Sequence, residues 1–302
     1  MLVGCRRSAG PEQAGPRLWR RANRQRVHGH SSSTRARLRA LGLRPSKRLS
    51  QSFLDDARVA AAIVKAATLD ATADVLEVGP GLGALTERLA RVARRVVAIE
   101  IDEHLVESLR AELTDIGNAS VCAGDILKVD PSSFFDRDFV VVANLPYHIT
   151  SPALRHLLGV GPPFATRLVV MVQAEVADRV AAAPGQMSAL AVIIQAQARV
   201  TRIRRVPAAA FYPPPKVDSA VLLLEALAGA ERAVSRAELA EFSELVRAGF
   251  KQPRKTLANS LADGLGAPKE KATERLARAG IDPSARPQAL GVDDWVRLFR
   301  TP

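Results

Sequence analysis

The stretch "ADVLEVGPGLGALTERLA", Ala73 to Ala90, decides the fold. An apolar strand runs into a turn carrying Gly79, Gly81 and Gly83, and an amphipathic helix follows. Glycines tolerate positive φ and let a ligand approach the backbone, while the start of the next helix offers unpaired N–H groups. With Ala84 the segment also satisfies G-x-G-x-x-A, the fingerprint of a nucleotide-binding turn.

Reading outward, the next strand, "RRVVAIEID", ends in Glu100, where an acid can accept hydrogen bonds from ribose hydroxyls. A third strand, "ASVCAGDIL", ends in Asp125, whose carboxylate can accept from an exocyclic adenine amine. Acids at successive strand ends mark the side of an open α/β sheet where ligands sit. Both a nicotinamide cofactor and S-adenosylmethionine are compatible with the pattern up to this point.

The fourth strand separates them. "FVVVANLPYHIT", Phe139 to Thr150, puts Asn-Leu-Pro-Tyr at its end. A hydride-transfer enzyme has no use for that group, whereas an enzyme that methylates an aromatic amine does. The lone pair of a purine amine is delocalised into the ring, so the amine is a poor nucleophile. The amide oxygen of Asn144 and the backbone carbonyl of Leu145, aimed at its protons, favour a nitrogen with a directed lone pair. Pro146 stiffens the turn, and the ring of Tyr147 stacks on an extruded base.

The rest of the chain fits a parallel sheet covered by helices. The patterning predicts strands at 74–78, 96–100, 119–122, 139–143 and 168–172, alternating with helices near 56–67, 84–92, 103–113, 152–158 and 175–182. A helix over "SALAVIIQAQA" is followed by two late strands, "RVTRIRRVP" and "AVLLLE", flanking the proline-dense "AFYPPPKVDS". Beyond the linker "LAGAERAVS", a Ser235-x-x-Glu238 capping box opens a helical region expected at 236–249, 255–262, 269–279 and 292–300.

At 302 residues, 47% hydrophobic and 25% charged, the chain can bury a sizeable core, and no apolar run is long enough to span a membrane. The net charge of +12 is local: residues 1 to 50 hold thirteen Lys or Arg and one acid, Glu12, leaving thirty of each sign in residues 51–302. Three readings compete for this basic, Gly-, Pro- and Ser-rich segment, which is expected to be disordered over residues 1–45: a nucleic-acid arm, an organellar transit peptide, or an over-extended reading frame. Cys5 and Cys122 are too few to frame a disulfide scaffold, and neither they nor the five histidines have metal-site spacing, so no metal is expected and the location expected is the reducing cytoplasm.

Taken together, "KRLSQSFLDD", "VLEVGPGLGALT", "VVAIEID", "GDIL", "NLPYHITSP", "VVMVQAEVADRV", "VPAAAFYPPPKVDSAVL" and "FKQPRKTLANSL", in order from Lys47 to Leu261, resemble the ribosomal RNA adenine dimethyltransferase family, most closely its small-subunit, KsgA/RsmA-type branch. The resemblance implies a Rossmann-like catalytic domain over 46–228 and an all-α domain over 229–302 that docks on the ribosomal subunit. It implies S-adenosylmethionine as methyl donor. The implied substrate is a pair of adjacent adenines in a 3′-terminal hairpin of small-subunit rRNA, each taken to N6,N6-dimethyladenosine by a monomer acting on a pre-assembled subunit during its biogenesis. By position, Ser52, Leu54, Gly79, Gly81, Glu100, Asp125 and Asn144 would line the cofactor site. Asn144 and Leu145 would hold the amine, Tyr147 would stack on the base, and Phe211 would supply the opposing apolar wall. Phosphate contacts are expected from Arg202, Arg204, Arg205 and Lys216 and from Lys251, Arg254 and Lys255, with Arg199 beside the first cluster.

Three departures from the family pattern stand out: Ser50-Gln51-Ser52 in place of Gly-Gln-Asn or Gly-Gln-His, His148 in place of Asn, and Pro253 where an arginine is common. Two alternatives on the same fold are a large-subunit adenine methyltransferase of the macrolide-resistance type and a mitochondrial transcription factor.

Overall fold

The structure is a computed structural model and describes residues 33–46 and 48–302. Its main sheet is built from β2 (Asp74–Val78), β3 (Arg95–Glu100), β4 (Ala119–Ala123), β5 (Phe139–Asn144), β6 (Ala165–Gln173), β7 (Ala198–Val206) and β9 (Ser219–Ala226), in the order β4-β3-β2-β5-β6-β9-β7. The pairs β4–β3, β3–β2, β2–β5 and β5–β6 are parallel. The chain builds outward from β2 through β3 to β4 and then returns to lay β5 on the other side of β2. That reversal opens a crevice beyond the carboxyl ends of β2 and β5, where ligands bind in folds of this kind. The glycine turn leaves β2 at that crevice, and Asn144 ends β5 beside it.

Helix α2 (Ala57–Ala66) precedes β2, and α3 (Thr86–Ala90), α4 (Glu103–Glu112) and α5 (Thr150–Gly159) connect the strands that follow. All five β2 residues are buried, as a strand covered on both faces requires. Ile63, Val75, Leu89, Val142, Val169 and Met171 pack into one core beneath the crevice. At the opposite end of β2 the buried Asp74 is clamped by Arg94, whose Nε donates to it at 2.8 Å.

The chain divides into two compact units. One comprises the described residues up to Ala174 together with Ile203–Leu223, and the other comprises Glu175–Arg202 together with Leu224–Pro302. The expected boundary near 228 therefore moves. Helix α7 (Ala189–Gln195) joins the C-terminal helices because Met187, Val192, Ile193 and Ala196 share a core with Phe242, Val246, Leu261 and Trp295. Within this second unit α8 (Leu239–Gly249), α9 (Leu257–Leu265), α10 (Lys269–Arg278) and α11 (Val292–Arg300) reproduce the expected helical run. The capping box forms, with Ser235 N donating to Glu238 at 2.9 Å and Glu238 N to the Ser235 hydroxyl at 3.3 Å. The regular helix nevertheless starts at Leu239, with residues 236–238 in a turn, and Arg300 also donates to the Glu238 carboxylate.

Close helix packing here depends on one glycine. A Cβ placed on Gly264 would lie 2.5 Å from the backbone of Ala248, so α8 and α9 would have to separate. Gly264→Ala is expected to destabilise this unit by about 2–3 kcal/mol through overpacking, read as a lowered midpoint in denaturant unfolding.

The N-terminal expectation is corrected where the structure describes it. Residues 33–45 are not a disordered extension: Ser33 caps α1 (Thr34–Ala40), and Leu38 is only 3% exposed. The helix is held by distant partners, Thr34 donating to Asp55 and Arg37 to Glu112 at 2.6 Å. Local composition carries no trace of partners that lie 21 and 75 residues away. Residues 1–32 lie outside the described residues.

Candidate active site

The glycine turn adopts the conformation its composition requires, with φ of +68° at Gly79, +57° at Gly81 and +81° at Gly83. A Cβ on Gly81 would come 3.0 Å from the Phe53 ring, and one on Gly83 2.8 Å from Leu109, so neither glycine has room for a side chain. Gly79 faces the end of β5, its α-carbon surface directed at the Asn144 carbonyl. Glu100, 6% exposed, ties this turn to β3: one carboxylate oxygen accepts from Gly81 N at 3.1 Å, and the other from Ile101 N at 2.9 Å and Asp102 N at 3.1 Å. Burial raises its pKa, and these three hydrogen bonds oppose that rise. Gly124 N donates to the Glu100 carbonyl at 2.8 Å, which brings Asp125 alongside. Asp125 caps its own turn by accepting from Leu127 N at 3.0 Å, and its second oxygen lies 3.8 Å from Lys128.

The amide of Asn144 is oriented by the N-terminal segment. Its Nδ2 donates to the Ser52 carbonyl at 3.2 Å, leaving Oδ1 to accept. Ser52 thus acts through its backbone, so its departure from the family residue costs this contact nothing. Leu145 is buried, and its N–H is bonded to Met171 at 3.1 Å, which anchors the turn to β6. Pro146 begins a short 3-10 turn over Tyr147–Ile149, closed by Ile149 N and the Thr150 hydroxyl on the Pro146 carbonyl. Tyr147 is half-buried, and its hydroxyl shares a 2.9 Å hydrogen bond with the fully buried Ser219 on β9, which fixes the ring. Burial also raises the Tyr147 pKa, so the phenol stays neutral.

Two elements absent from the sequence reading complete the site. Strands β1 (Phe53–Leu54) and β8 (Phe211–Tyr212) pair antiparallel, with Leu54 opposite Phe211. Phe211 is 5% exposed and packs in the core with Leu54 and Met171, so it backs the site from below. Gln51 spans the N-terminal segment: its side-chain oxygen accepts from Ser46 N at 2.7 Å and its amide donates to Asp102 at 2.8 Å. Ser50, where the family has glycine, sits at φ +51°, the left-handed region that favours glycine.

The buried carboxyl of Glu77 was also missed, although an acid inside the run "VLEV" is a readable signal. It is 1% exposed, and Oε2 has no hydrogen-bond partner; the buried Thr86 hydroxyl has none either. Burial, reinforced by the charge of Glu100 and opposed by the nearby Thr86 hydroxyl, pushes its pKa up to about 8.

The predicted cofactor residues Ser52, Leu54, Gly79, Gly81, Glu100 and Asn144 thus converge around one crevice. The fit to S-adenosylmethionine rests on donor chemistry. The buried Glu100 carboxyl, with acceptor capacity left beside its three backbone hydrogen bonds, borders a turn of positive-φ glycines, an arrangement that suits a ligand with ribose hydroxyls. Among the described residues, no group of three or more His, Cys, Asp or Glu side chains could hold a metal ion.

The predicted phosphate contacts behave differently. Arg202 is paired with Asp178, Arg205 with Asp218 at 3.0 Å, and Lys251 with Asp263 at 3.3 Å; the neighbouring Arg199 is paired with Glu231. Arg204, Lys216, Arg254 and Lys255 are exposed.

Comparison with known proteins agrees with this geometry. Residues 42–301 match the family described as ribosomal RNA adenine dimethylase. A protein of Moorella thermoacetica named ribosomal RNA small subunit methyltransferase A is 43% identical over 285 residues, covering 89% of this chain and 96% of that protein. A Bacillus cereus protein of the same name is 41% identical, covering 83% of this chain and 89% of its own length. Among solved structures, a dimethyladenosine transferase from Plasmodium falciparum superposes with a TM-score of 0.69 at 26% identity, covering 82% of this chain and 95% of its own. The 23S rRNA methyltransferase ErmE superposes with a TM-score of 0.65 at 31% identity, covering 82% and 98%. On its glycine turn, its Asn-Leu-Pro-Tyr strand end and a match that spans nearly all the described residues, the chain belongs to the ribosomal RNA adenine dimethylase family.

Proposed function

We propose that the protein transfers methyl groups from S-adenosylmethionine to the N6 amines of two adjacent adenines in small-subunit rRNA, as a step in subunit biogenesis. The observation that carries this reading is the oriented Asn144 amide at the crevice, its donor occupied by Ser52 and its acceptor free. Greater identity to small-subunit relatives than to ErmE supports the choice of rRNA.

When bound, the cofactor supplies an electrophilic methyl group on a sulfonium centre. Glu100 and Asp125 would hold its adenosine half, and the Gly79–Gly81 turn and Leu54 would line the rest. The chain's own work lies on the amine. Asn144 Oδ1 and the Leu145 carbonyl each accept one N–H of the adenine amine, which draws the nitrogen toward a pyramidal geometry and directs its lone pair. After one methylation a single N–H remains, and one acceptor suffices to hold it for the second. Tyr147, its hydroxyl fixed on Ser219, stacks on the flipped base with a ring that loses little freedom. No side chain acts as a strong base; the amine becomes acidic once it carries positive charge, and its proton passes to the carbonyls or to water.

The domain reading becomes a catalytic unit bearing this site and a helical unit that docks the ribosomal subunit, with the protein acting as a monomer on a pre-assembled particle in the cytoplasm. Among the described residues no helix is long and apolar enough to cross a membrane.

The test is a mass-spectrometric map of dimethyladenosine in both rRNAs from cells with and without the protein. Two dimethyladenosines that disappear from the small subunit are expected; loss confined to the large subunit would overturn the assignment.

A further inference from the structure

Three of the seven cations predicted to bind RNA are committed to carboxylates, while Arg204, Lys216, Arg254 and Lys255 are exposed. Arg202, Arg205 and Lys251 each have a carboxylate partner, and residues 51–302 carry no net charge. A further block of positive charge lies on the N-terminal helix and the chain that follows it. Between Ser33 and Leu54 there is no acid, and Arg35, Arg39, Arg44 and Arg48 are all exposed. Among the described residues, Arg37 is the α1 arginine paired with an acid, Glu112, which locks the helix down.

The placement of α1 follows from its two inward residues, Thr34 and Leu38, four apart and therefore on one face. Leu38 packs with Phe53, Leu82 and Leu105, and Phe53 and Leu82 belong to the walls of the glycine turn. The outward face therefore shows its arginines beside the catalytic crevice. Arg44 and Arg48 continue the patch along two clefts, of about 540 and 450 Å³, whose far walls include Asp102 and, in the second, Glu103. The contacts of Thr34, Arg37, Leu38 and Gln51 with Asp55, Glu112, Leu82, Leu105 and Asp102 would be excessive for a solvated tail. They hold a cationic surface in register with the site.

We infer that Arg35, Arg39, Arg44 and Arg48 form a phosphate-binding surface for the backbone of the substrate RNA, placed on the cofactor side of the active site. The inference rests on the rRNA methylation reading, deepens it by naming where the strand flanking the target adenine runs, and lies partly outside the family match, which begins at residue 42. Charge complementarity commits the surface to a polyanion. Arginine suits it, since a guanidinium forks onto phosphate oxygens.

The test uses the full chain with all four arginines changed to glutamine, alongside an Arg202→Gln/Arg205→Gln control. The probe is a synthetic RNA hairpin with two adjacent loop adenines, titrated at several potassium chloride concentrations. Four lost phosphate contacts should reduce the slope of log affinity against log salt by about 3, so that the wild-type loss between ~50 and ~200 mM salt flattens by about 50-fold. The control, whose arginines already face carboxylates, should change the slope by less than about 1. With cofactor saturating, KM for the hairpin should rise and kcat at saturating RNA should stay within about twofold, while S-adenosylmethionine affinity and melting temperature are unchanged. An unaltered slope, or a slope lost equally in the control, overturns the inference. So does a selective fall in cofactor affinity, which would make the segment a strap for the cofactor. Wild-type protein that binds the cofactor but never methylates any RNA would instead sink the underlying functional reading, so the two failures are separable.

Discussion

Asn144→Ala is expected to lower methyl transfer by about 10³-fold, the scale found when one preorganised polar group facing the reacting atoms is removed. Affinity for S-adenosylmethionine should stay within about tenfold, a loss of no more than ~1.4 kcal/mol. The separation follows from the geometry. Asn144 ends β5 and spends its donor on the Ser52 carbonyl, which on the proposed reading leaves its acceptor for the substrate, whereas the cofactor would be held mainly by the turn and by Glu100. Removing the amide takes away one of two acceptors for the amine and frees the N-terminal segment at one point, without emptying the glycine turn. Single-turnover methylation measured beside isothermal titration with the cofactor would check both halves. Turnover within tenfold of wild type would refute the role, and equal losses in both measurements would move Asn144 from the amine to the cofactor.

The second large effect concerns Glu77 and is a matter of pH. Its carboxyl titrates at about 8 in the folded protein against 4.5 for a free glutamate. The folded state therefore holds a proton that the unfolded chain has released. Where the folded state binds more protons, stability falls as pH rises. From this group alone the fall is about 1.4 kcal/mol per pH unit, beginning near the unfolded value and levelling off once the folded pKa is passed. Glu77→Gln keeps the shape and removes the titration. Its stability should match the wild type near pH 5 and exceed it by several kcal/mol near pH 8, seen as diverging denaturant midpoints across that range. Parallel curves would show that the carboxyl is already ionised in the fold. The same variant should bind S-adenosylmethionine more weakly, since a buried acid that costs stability at neutral pH is kept where a ligand uses it. Gain in alkaline stability with loss of cofactor affinity is the combined signature.

Much of this site could be read from the residues. The glycine turn, the acids ending β3 and following β4, and the Asn-Leu-Pro-Tyr end of β5 each lie within a single strand and its loop. Parallel strands buried on both faces announce themselves as apolar runs, and the loop residues after them are then placed by the sheet. Glu77 was readable in principle, as an acid inside such a run, but its consequence depends on burial, which only packing creates.

Other parts had no local signal. Strands β1 and β8 are two residues each and exist only because Leu54 meets Phe211 across 157 positions of chain. Helix α1 is short and arginine-rich, and a helix of that length is marginal alone; it stands because Asp55, Glu112 and the Phe53–Leu82–Leu105 surface receive it. Composition therefore suggested disorder where the fold supplies order. The arginines of β7 looked like a basic face, yet Asp178 and Asp218, on separate stretches of chain, neutralise Arg202 and Arg205. Charge runs show where cations are, and only the folded chain shows which of them are already paired.

The sequence by itself determined the class of sheet, the glycine turn and the Asn-Leu-Pro-Tyr end of β5, because each follows from backbone conformation and side-chain chemistry within a few consecutive positions. The tertiary structure alone decided which way the Asn144 amide faces, that the Glu77 carboxyl is buried with its pKa raised, and which arginines are paired with carboxylates. Orientation, proton affinity and free charge are properties of contacts between distant segments, and those contacts form only when the chain has folded.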